Sequence, residues 1–351
     1  MLNQIPKTPK ISVAPMMDWT DRHCRYFHRI LSKNIWLYTE MITDQALIHG
    51  DPERLLKYDL SEHPVALQLG GSNPENLYKA VTITLDHEFK YDEINLNIGC
   101  PSDRVQSGAF GLCLMKDPER VVDCLNAMAQ AVSDQKLNQK LNQKLNKNIL
   151  ITAKTRTGVD NLDSYEYLNN FINLIQTKTP CREFIIHARK GWLSGLSPKE
   201  NREIPPLDYS RVYQLKKDFP ECLIIINGGV QNILEINQHL NHTDGVMIGR
   251  AAYHNPYLLA ELDQEVFKNN LKISRLEIFK NMQNYISQEL DQGTRLHSIT
   301  RHMLGLYHGQ PKSKFFKKSL GELGINSKNI KDNKEIINLL LEIFERAEEN
   351  N

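Results

Sequence analysis

Eight short runs rich in β-branched and other apolar residues recur through the first 250 residues, and they constrain the fold more than any other feature of the chain. The segments between them are long enough for helices, and this alternation predicts parallel strands joined by right-handed crossovers. Parallel strands covered by helices have nearly continuous apolar sequences, as these do. We therefore predict an α/β fold, a closed (β/α)8 TIM barrel rather than an open doubly wound sheet. The runs are ISVAPM (11–16), IWLYTEM (35–41), PVALQLG (64–70), YDEINLN (91–97), ILITAKT (149–155), EFIIHA (183–188), CLIIING (222–228) and DGVMIG (244–249).

The remainder of the chain lacks such runs and has the periodicity of amphipathic helices. Apolar residues recur there at three- and four-residue intervals, for example at Ile336, Leu340 and Ile343, which is the spacing of one buried helical face. We predict a barrel domain over residues 1–262 and a C-terminal all-helical domain over residues 263–351.

One insertion interrupts the barrel pattern. Residues 135–146 are three copies of the tetrapeptide QKLN, which would place three leucines four residues apart in one stripe of a helix. A period of four residues is too short for a solenoid repeat. We interpret the segment as a surface extension of the fourth barrel helix, without a binding function.

Composition excludes several classes of protein. No apolar run approaches the roughly 18 residues that span a bilayer, and the first residues have no signal-peptide core, so we expect neither membrane insertion nor secretion. Six cysteines without a C-x-x-C pair are typical of a reducing, cytoplasmic setting. The formal net charge is +1, so a polyanionic partner would need locally placed charge, and no stable protein partner is predicted.

Polar residues close most of the apolar runs, and the active site of such a barrel lies at that end of its strands. Barrels often hold phosphate by backbone N–H groups after strands seven and eight, where glycines allow close approach. Asn227, Gly228 and Gly229 end the seventh run, and Gly249 and Arg250 end the eighth. This pattern predicts a phosphate site, with Arg250 adding a charge-assisted contact.

Three further strand-end side chains are candidates for ligand binding. Lys154 follows the apolar residues ILITA, so its ammonium would emerge into the barrel mouth and stabilise an anion, unless it pairs with a carboxylate such as Glu40. Gln68 offers a donor and an acceptor to an amide-like ring edge. His187 could contact phosphate or substrate. A lone glutamine or histidine is more often structural, but two cations follow His187 and favour a function.

Cys100 is the strongest candidate for chemistry. It follows Asn97 in the strand-to-loop sequence NIGC and precedes Pro101, whose ring favours an extended exit from the turn. A free thiol is largely protonated at neutral pH, so it can donate a proton, and as a thiolate it can act as a nucleophile. The alternative is a buried structural cysteine, which is our interpretation of the other five. No ligand spacing of the zinc type occurs, and no metal is predicted.

Motif-length segments spread along nearly the whole chain carry a family resemblance. They are APMMDWTDRHCRYFHR (14–29), TEMIT (39–43), ALQLGGSNP (66–74), INLNIGCPSDRVQSGAFGLCLM (94–115), KTRTGVD (154–160), HARKGWLSGLSPKENREIPPLDY (187–209), INGGV (226–230), MIGRAAYHNP (247–256) and TRHMLGLYHGQP (300–311). Together they closely resemble the tRNA-dihydrouridine synthases, flavin enzymes with a barrel and a helical domain, and most nearly the bacterial A-type branch. INLNIGCPS is the most specific motif, and the QKLN insertion is the one departure.

The resemblance implies that NADPH reduces a bound FMN, whose N5 delivers hydride to C6 of a tRNA uridine while a cysteine protonates C5. By its place in the motif, Cys100 takes the role of this acid. Asn97 would orient the target base, and Gln68 and Lys154 would hold the flavin ring edge. Residues that would line the flavin are Pro15, Met16 and Met17. Residues that would hold its ribityl phosphate are His187, Asn227, Gly228, Gly229, Gly249 and Arg250.

Local positive charge in the helical region suits RNA. From Arg295 to Lys318 there are six Lys or Arg residues and no Asp or Glu. A uridine must leave its stack to reach a barrel mouth, so the enzyme needs a basic surface around it, although a charge run is often just a solvated helix face. The resemblance implies D-loop uridines at tRNA positions 20 and 20a. The predicted tRNA contacts are Arg189, Lys190, Arg301, Lys314 and Lys317.

Two other functions fit parts of the pattern. An FMN barrel that reduces a free pyrimidine would leave the basic helical region without a purpose, and activity on free uracil would reveal it. An RNA-binding barrel without catalysis is at odds with Cys100, Lys154 and the phosphate-type loops, and purification without flavin would support it.

Overall fold

Eight parallel strands form the centre of the fold, and each coincides with one of the predicted runs. The computed structural model describes residues 9–102, 108–140, 149–269, 273–330 and 332–349. The strands are β1 (Lys10–Val13), β2 (Leu37–Thr43), β3 (Val65–Gly70), β4 (Glu93–Asn97), β5 (Leu150–Arg156), β6 (Glu183–His187), β7 (Leu223–Asn227) and β8 (Gly245–Ile248).

The sheet closes on itself. Its strands lie in the order β1-β8-β7-β6-β5-β4-β3-β2, so β1 and β2 are the two ends. The N–H of Val13 donates to the C=O of Trp36 at 2.9 Å, and the N–H of Trp36 donates to the C=O of Ile11 at 2.9 Å. Trp36 directly precedes β2, and Ser12 and Trp36 form a parallel bridge. These bonds join the two ends, and the predicted TIM barrel is confirmed.

Alternate residues of the strands face opposite sides of the barrel wall, which separates two kinds of surroundings. On β4, Ile94 and Leu96 belong to the large apolar core between the sheet and its helices. The intervening Glu93, Asn95 and Asn97 are polar and buried on the lumen side. A separate small apolar cluster comprises Ala14, Tyr38, Ala66, Ile185, Ile225 and Met247.

Helices follow the strands and start at residues suited to cap them. Asp21 accepts from the N–H groups of His23 and Cys24, and Asn73 caps a helix whose first residue is proline. The barrel helices are α1 (Arg22–Leu31), α2 (Asp44–His49), α3 (Pro52–Leu56), α4 (Pro74–Asp86), α5 (Pro118–Lys140), α6 (Tyr165–Lys178), α7 (Tyr209–Asp218), α8 (Ile233–Leu240), α9 (Arg250–His254) and α10 (Tyr257–Glu265). Short 3-10 helices cover Leu60–Glu62, Gly111–Lys116, Glu200–Arg202 and Ser327–Asn329. The QKLN segment begins on α5, and its part beyond Lys140 lies outside the described residues.

The C-terminal part of the described chain is helical, as predicted. Its helices are α11 (Arg275–Asp291), α12 (Leu296–Thr300), α13 (Ser313–Asn326) and α14 (Asn333–Glu348). Aromatic side chains fill the space between them: the rings of Phe279 and Phe344 stack at 4.5 Å, and Phe316 meets Phe344 edge-on at 4.9 Å. None of the helices in the described part of the chain is both long and apolar enough to span a bilayer.

The helical region packs directly on the barrel. The ring of Tyr285 on α11 stacks on Tyr26 of α1, with centroids 3.8 Å apart. Asp263 lies near the end of α10, where its carboxylate accepts hydrogen bonds from the side chains of Ser32 and Asn34. The predicted boundary at residue 263 therefore falls inside a helix bound to the barrel, and the division into two domains stays a prediction.

Candidate active site at the barrel mouth

Cys100 lies on a tight turn that the side chain of Asn97 holds. Asn97 is the last residue of β4, and its Oδ1 accepts from the N–H groups of Gly99 at 3.1 Å and Cys100 at 3.0 Å. The C=O of Cys100 accepts from the N–H of Leu112 at 2.9 Å. This Asx-type turn leaves the half-buried thiol 3.4 Å from the hydroxyl oxygen of Ser102. The main chain around the thiol is therefore fixed on both sides.

The amide of Asn97 also forms a hydrogen bond inside the barrel lumen. Its Nδ2 donates to Oε1 of Gln68 at 2.8 Å, and Nε2 of Gln68 donates to Oδ1 of Asn95 at 2.8 Å. With both lone pairs of Oδ1 and one N–H in use, Asn97 keeps a single N–H for a ligand. Gln68 keeps one N–H and one lone pair.

Lys154 is a half-buried cation without a partner among the described residues. It lies at the end of β5, and no hydrogen bond or ion pair joins its ammonium to that part of the chain. Burial and the nearby Arg156 guanidinium lower the pKa of Lys154 to about 8, while the Cys100 side chain counteracts this shift. The alternative pairing with Glu40 is not formed in the described part of the chain, where that carboxylate accepts from the N–H of Asp18. An ammonium in these surroundings would bind an anion favourably.

Arg156 connects three loops of the mouth and was not among the predicted site residues. Its Nε donates to the C=O of Gly99 at 2.8 Å, and its Nη1 donates to the C=O groups of Lys190 and Asn201, both at 3.0 Å. Burial lowers the pKa of Arg156 to about 10. Its position two residues after Lys154 in the KTR sequence is the signal that could have found it.

His187 and two glycines form a narrow cradle after β6 and β7. Gly228 has φ +113°, and a Cβ there would lie 2.9 Å from Cδ2 of His187. A Cβ on Gly229, whose φ is +75°, would lie 2.7 Å from the hydroxyl oxygen of Tyr209. Nδ1 of His187 is buried without a partner in the described chain, and burial holds the pKa of this ring well below its usual range. Asn227 donates to the C=O of Met247 at 2.8 Å.

Two arginines flank this cradle. Arg250 forms a half-exposed ion pair with Glu203 at 2.8 Å, and the described residue nearest to a Cβ on Gly249 would be Ala14, at 4.0 Å. Arg189 donates to the C=O of Pro205, but its buried Nε finds no partner among the described residues. Burial lowers the pKa of Arg189, and its repulsion from Arg250 adds to the shift. Positive charge is thus concentrated at this side of the mouth.

The loop after β1 brings apolar side chains to the mouth. Met16 is packed against the core, and its N–H donates to the hydroxyl of Thr20 at 3.0 Å. Met17 is 57% exposed and is followed by Asp18 at φ +63°. Pro15, which precedes them, is half-buried. An exposed methionine here offers an apolar surface to a ligand.

The predicted tRNA contacts differ in their surroundings. Lys190 pairs with Asp163 at 2.7 Å, and its ammonium lies 4.4 Å from the ring centroid of Trp192. Arg301 pairs with the carboxylate of Asp21. Lys314 and Lys317 on α13 are exposed, without hydrogen bonds or ion pairs to the described residues.

The fold and the mouth define a (β/α)8-barrel enzyme with a cysteine beside a group of cations. Residues 12–343 match the family model described as dihydrouridine synthase, and the chain belongs to that family. It is accordingly an oxidoreductase, as the sequence predicted.

Similar proteins agree with this assignment. The chain is 53% identical to the tRNA-dihydrouridine(20/20a) synthase of Vibrio parahaemolyticus, over 89% of its own length and 91% of that protein. For the enzyme of the same description in Escherichia coli the identity is 54%, over 89% and 86%, and for that of a Synechocystis species 53%, over 89% and 88%. A solved 2-naphthoyl-CoA reductase complex shares the fold at a TM-score of 0.50 and 10% identity, over 73% of this chain and 50% of that one.

Proposed function

We propose that this protein reduces uridine to 5,6-dihydrouridine in tRNA, with NADPH as the electron donor and FMN as the bound cofactor. The observation that carries the proposal is the Cys100 thiol on a fixed turn beside the Lys154 cation, which has no partner in the described part of the chain. Membership of the dihydrouridine synthase family supports the reaction, and the names of the relatives support tRNA as substrate.

The residues of the mouth fit a flavin that carries a phosphate. Lys154 has an ammonium to offer to an anionic ring edge, and His187 has a buried nitrogen without a partner in the described chain. Absence of Cβ atoms at Gly228 and Gly229 leaves backbone accessible beside them. A bound FMN, reduced by NADPH, supplies the hydride that C6 of the uracil receives.

Each predicted binding residue then has a place in this assignment. Gln68 and Lys154 would bind the ring edge, and Pro15, Met16 and Met17 would cover its apolar surface. The phosphate would be bound by His187, Asn227, Gly228, Gly229, Gly249 and Arg250. Arg250 would exchange its half-exposed pairing with Glu203 for the phosphate, which costs little because exposed ion pairs are weak.

Cys100 would act as the general acid. The C5=C6 double bond of the base takes a hydride at C6, and the Cys100 S–H bond breaks as its proton passes to C5. The electron pair stays on sulfur as a thiolate, which later regains a proton from solvent. Lys154 and Arg156 favour this step, because two nearby cations stabilise the new negative charge.

Asn97 would orient the base. Because its remaining hydrogen-bonding group is an N–H, it fits a carbonyl oxygen, which uracil presents on both sides of N3. We propose the D-loop uridines at positions 20 and 20a as the targets, because these positions stand in the names of the related synthases. Arg189, Lys190, Arg301, Lys314 and Lys317 would contact the surrounding RNA backbone. All six cysteines are free thiols, which suits a reaction in the cytoplasm.

Cys100→Ala tests the proposal. We expect normal flavin content and normal flavin reduction by NADPH, but single-turnover formation of dihydrouridine in tRNA should fall by roughly 100-fold, the scale of a lost general acid. Cys113→Ala removes another half-buried thiol and serves as the matched control, with an unchanged rate. Dihydrouridine formation at the wild-type rate in Cys100→Ala would exclude the acid role. Efficient reduction of free uracil would show that the substrate is a free pyrimidine and not tRNA.

A further inference from the structure

A hydrogen-bonded column of five side chains runs through the barrel lumen, from the Cys100 turn to the opposite end of β4. From Asn97 the bonds pass to Gln68 and Asn95, each at 2.8 Å, as described above. Nδ2 of Asn95 then donates to Oγ1 of Thr152 at 2.7 Å, and the Thr152 hydroxyl donates to the carboxylate of Glu93. We call Asn97, Gln68, Asn95, Thr152 and Glu93 the amide column.

The donor and acceptor of every hydrogen bond in the amide column are determined by its Asn97 end, which we call the upper end. Backbone N–H groups can only donate, so the oxygen of Asn97 must face Gly99 and Cys100, and its nitrogen must face Gln68. The orientation of Asn97 requires the oxygen of Gln68 to face it, and the orientation of Gln68 requires the same of Asn95. Turning the Asn95 amide around would place its N–H groups against the N–H groups of Gln68.

The lower end of the amide column requires the same direction. The carboxylate of Glu93 accepts hydrogen bonds from the Thr152 hydroxyl and, at 2.6 Å, from the hydroxyl of Tyr38, and it pairs with Lys10. Because Thr152 uses its one proton on Glu93, its oxygen is left as the acceptor for Asn95. Both ends of the amide column therefore require the same orientation of its three side-chain amides, those of Asn97, Gln68 and Asn95.

Burial makes this arrangement hard to replace. Gln68, Asn95, Thr152 and Glu93 are at most 1% exposed, so water cannot easily substitute for a missing partner. When a buried donor loses its acceptor, the desolvation free energy of that donor is no longer compensated, and the folded state is destabilised. Loss of the Thr152 hydroxyl would leave Nδ2 of Asn95 without an acceptor and would leave the Asn95 amide held by Gln68 alone, which weakens the bonds between Asn95 and the turn.

We propose that Thr152 and Asn95 are positioning residues for Cys100, acting through the amide column on the turn that carries the thiol. Neither residue contacts the thiol, but through Gln68 they hold the Asn97 amide, whose Oδ1 accepts the two N–H bonds of the turn. For catalysis the inference rests on the acid role proposed for Cys100. Its structural part, the anchoring of the turn, does not depend on that role.

Three variants of the holoenzyme test the proposal. Thr152→Val removes the hydroxyl at nearly constant shape, and Thr152→Ser restores it. Ser12→Ala is the matched control, because Ser12 alternates with the outward-facing Ile11 and Val13, and its buried hydroxyl has no partner in the described chain. Amide hydrogen exchange of the peptide that contains Gly99 and Cys100 reports the turn directly. Flavin content, flavin reduction by NADPH and single-turnover reduction of tRNA report the site.

In Thr152→Val we expect exchange at Gly99 and Cys100 to be about three- to tenfold faster, the scale of one net hydrogen bond. Single-turnover reduction of tRNA should fall by about tenfold, at unchanged tRNA affinity and unchanged flavin reduction. Thr152→Ser and Ser12→Ala should match the wild type. Equal exchange in Thr152→Val and the wild type would overturn the proposal, as would equal acceleration in Ser12→Ala. If Cys100→Ala keeps full activity, the acid role fails, while the exchange data still decide whether the amide column anchors the turn.

Discussion

The Asp21 carboxylate at the start of α1 binds two consecutive residues of the helical region. Arg301 donates to Oδ2 at 2.5 Å, and Nε2 of His302 lies 3.0 Å from Oδ1. Arg22, the next residue along, pairs with Glu289 on α11. Arg301 thus joins the first barrel helix to the helical region, in contrast to the two solvated lysines of α13.

Lys314→Gln with Lys317→Gln should weaken tRNA binding and flatten its salt dependence. Each lost phosphate contact lowers the magnitude of the log K against log salt slope by roughly 0.7 to 0.9. The double variant Lys33→Gln with Lys79→Gln is the control, because it removes the same charge from exposed lysines of the barrel. Titrations of tRNA at several salt concentrations measure the slopes, and parallel lines for both double variants would make α13 an ordinary solvated helix.

Affinity for FMN should fall as the pH rises through the pKa of Lys154, about 8. The ammonium form of Lys154 donates charge-assisted hydrogen bonds to the carbonyl edge of the ring, and the neutral amine is a much weaker donor, so the dissociation constant of FMN should be roughly tenfold larger at pH 9 than at pH 7. In Lys154→Met the affinity should be lower and independent of pH over this range. Titration of the flavin-free protein with FMN, followed by flavin fluorescence, gives both profiles; a falling affinity in the methionine variant would assign the titration to another group.

Gly228→Ala should release FMN more readily than the wild type. Alanine at φ +113° is strained, and its Cβ would lie 2.9 Å from His187, so the ring must move out of the cradle. Gly195→Ala separates the two effects, because φ there is +83° but, apart from the chain neighbours, no described residue lies within 4 Å of the added Cβ. Flavin retained after extensive dialysis is the measurement. Equal loss in both variants would point to backbone strain in general rather than to the cradle.

Acid should destabilise the protein in part through His28 of α1. Burial, with repulsion from His302 and Arg29, lowers the pKa of His28 to about 3, from 6.5 when exposed. Between these values the unfolded state binds one proton more, so the free energy of unfolding falls by about 1.4 kcal/mol per pH unit as the pH drops. Urea unfolding of His28→Leu between pH 6.5 and 4 should show a shallower fall, whereas the exposed His49→Leu should keep the wild-type slope.

Local sequence predicted the elements and the mouth, because a barrel places every strand end at one rim. The eight apolar runs and the polar residues that end them suffice for this. The amide column was not predicted, since its bonds join β4 to Gln68 on β3 and Thr152 on β5, and strand register is a property of the assembled sheet. Arg301 shows the same limit: its charge was evident, but its partner Asp21 lies 280 residues away.

The hydrogen bonds of Arg156 determine which parts of the mouth loops can change in sequence. Among the described residues, the hydrogen bonds of its guanidinium all go to backbone carbonyls, those of Gly99, Lys190 and Asn201. Every amino acid provides such a carbonyl, so side chains of these loops can be exchanged without loss of the bonds that hold the loops together. Substrate-facing surfaces can therefore diverge over a constant main-chain frame, provided that the arginine itself is kept.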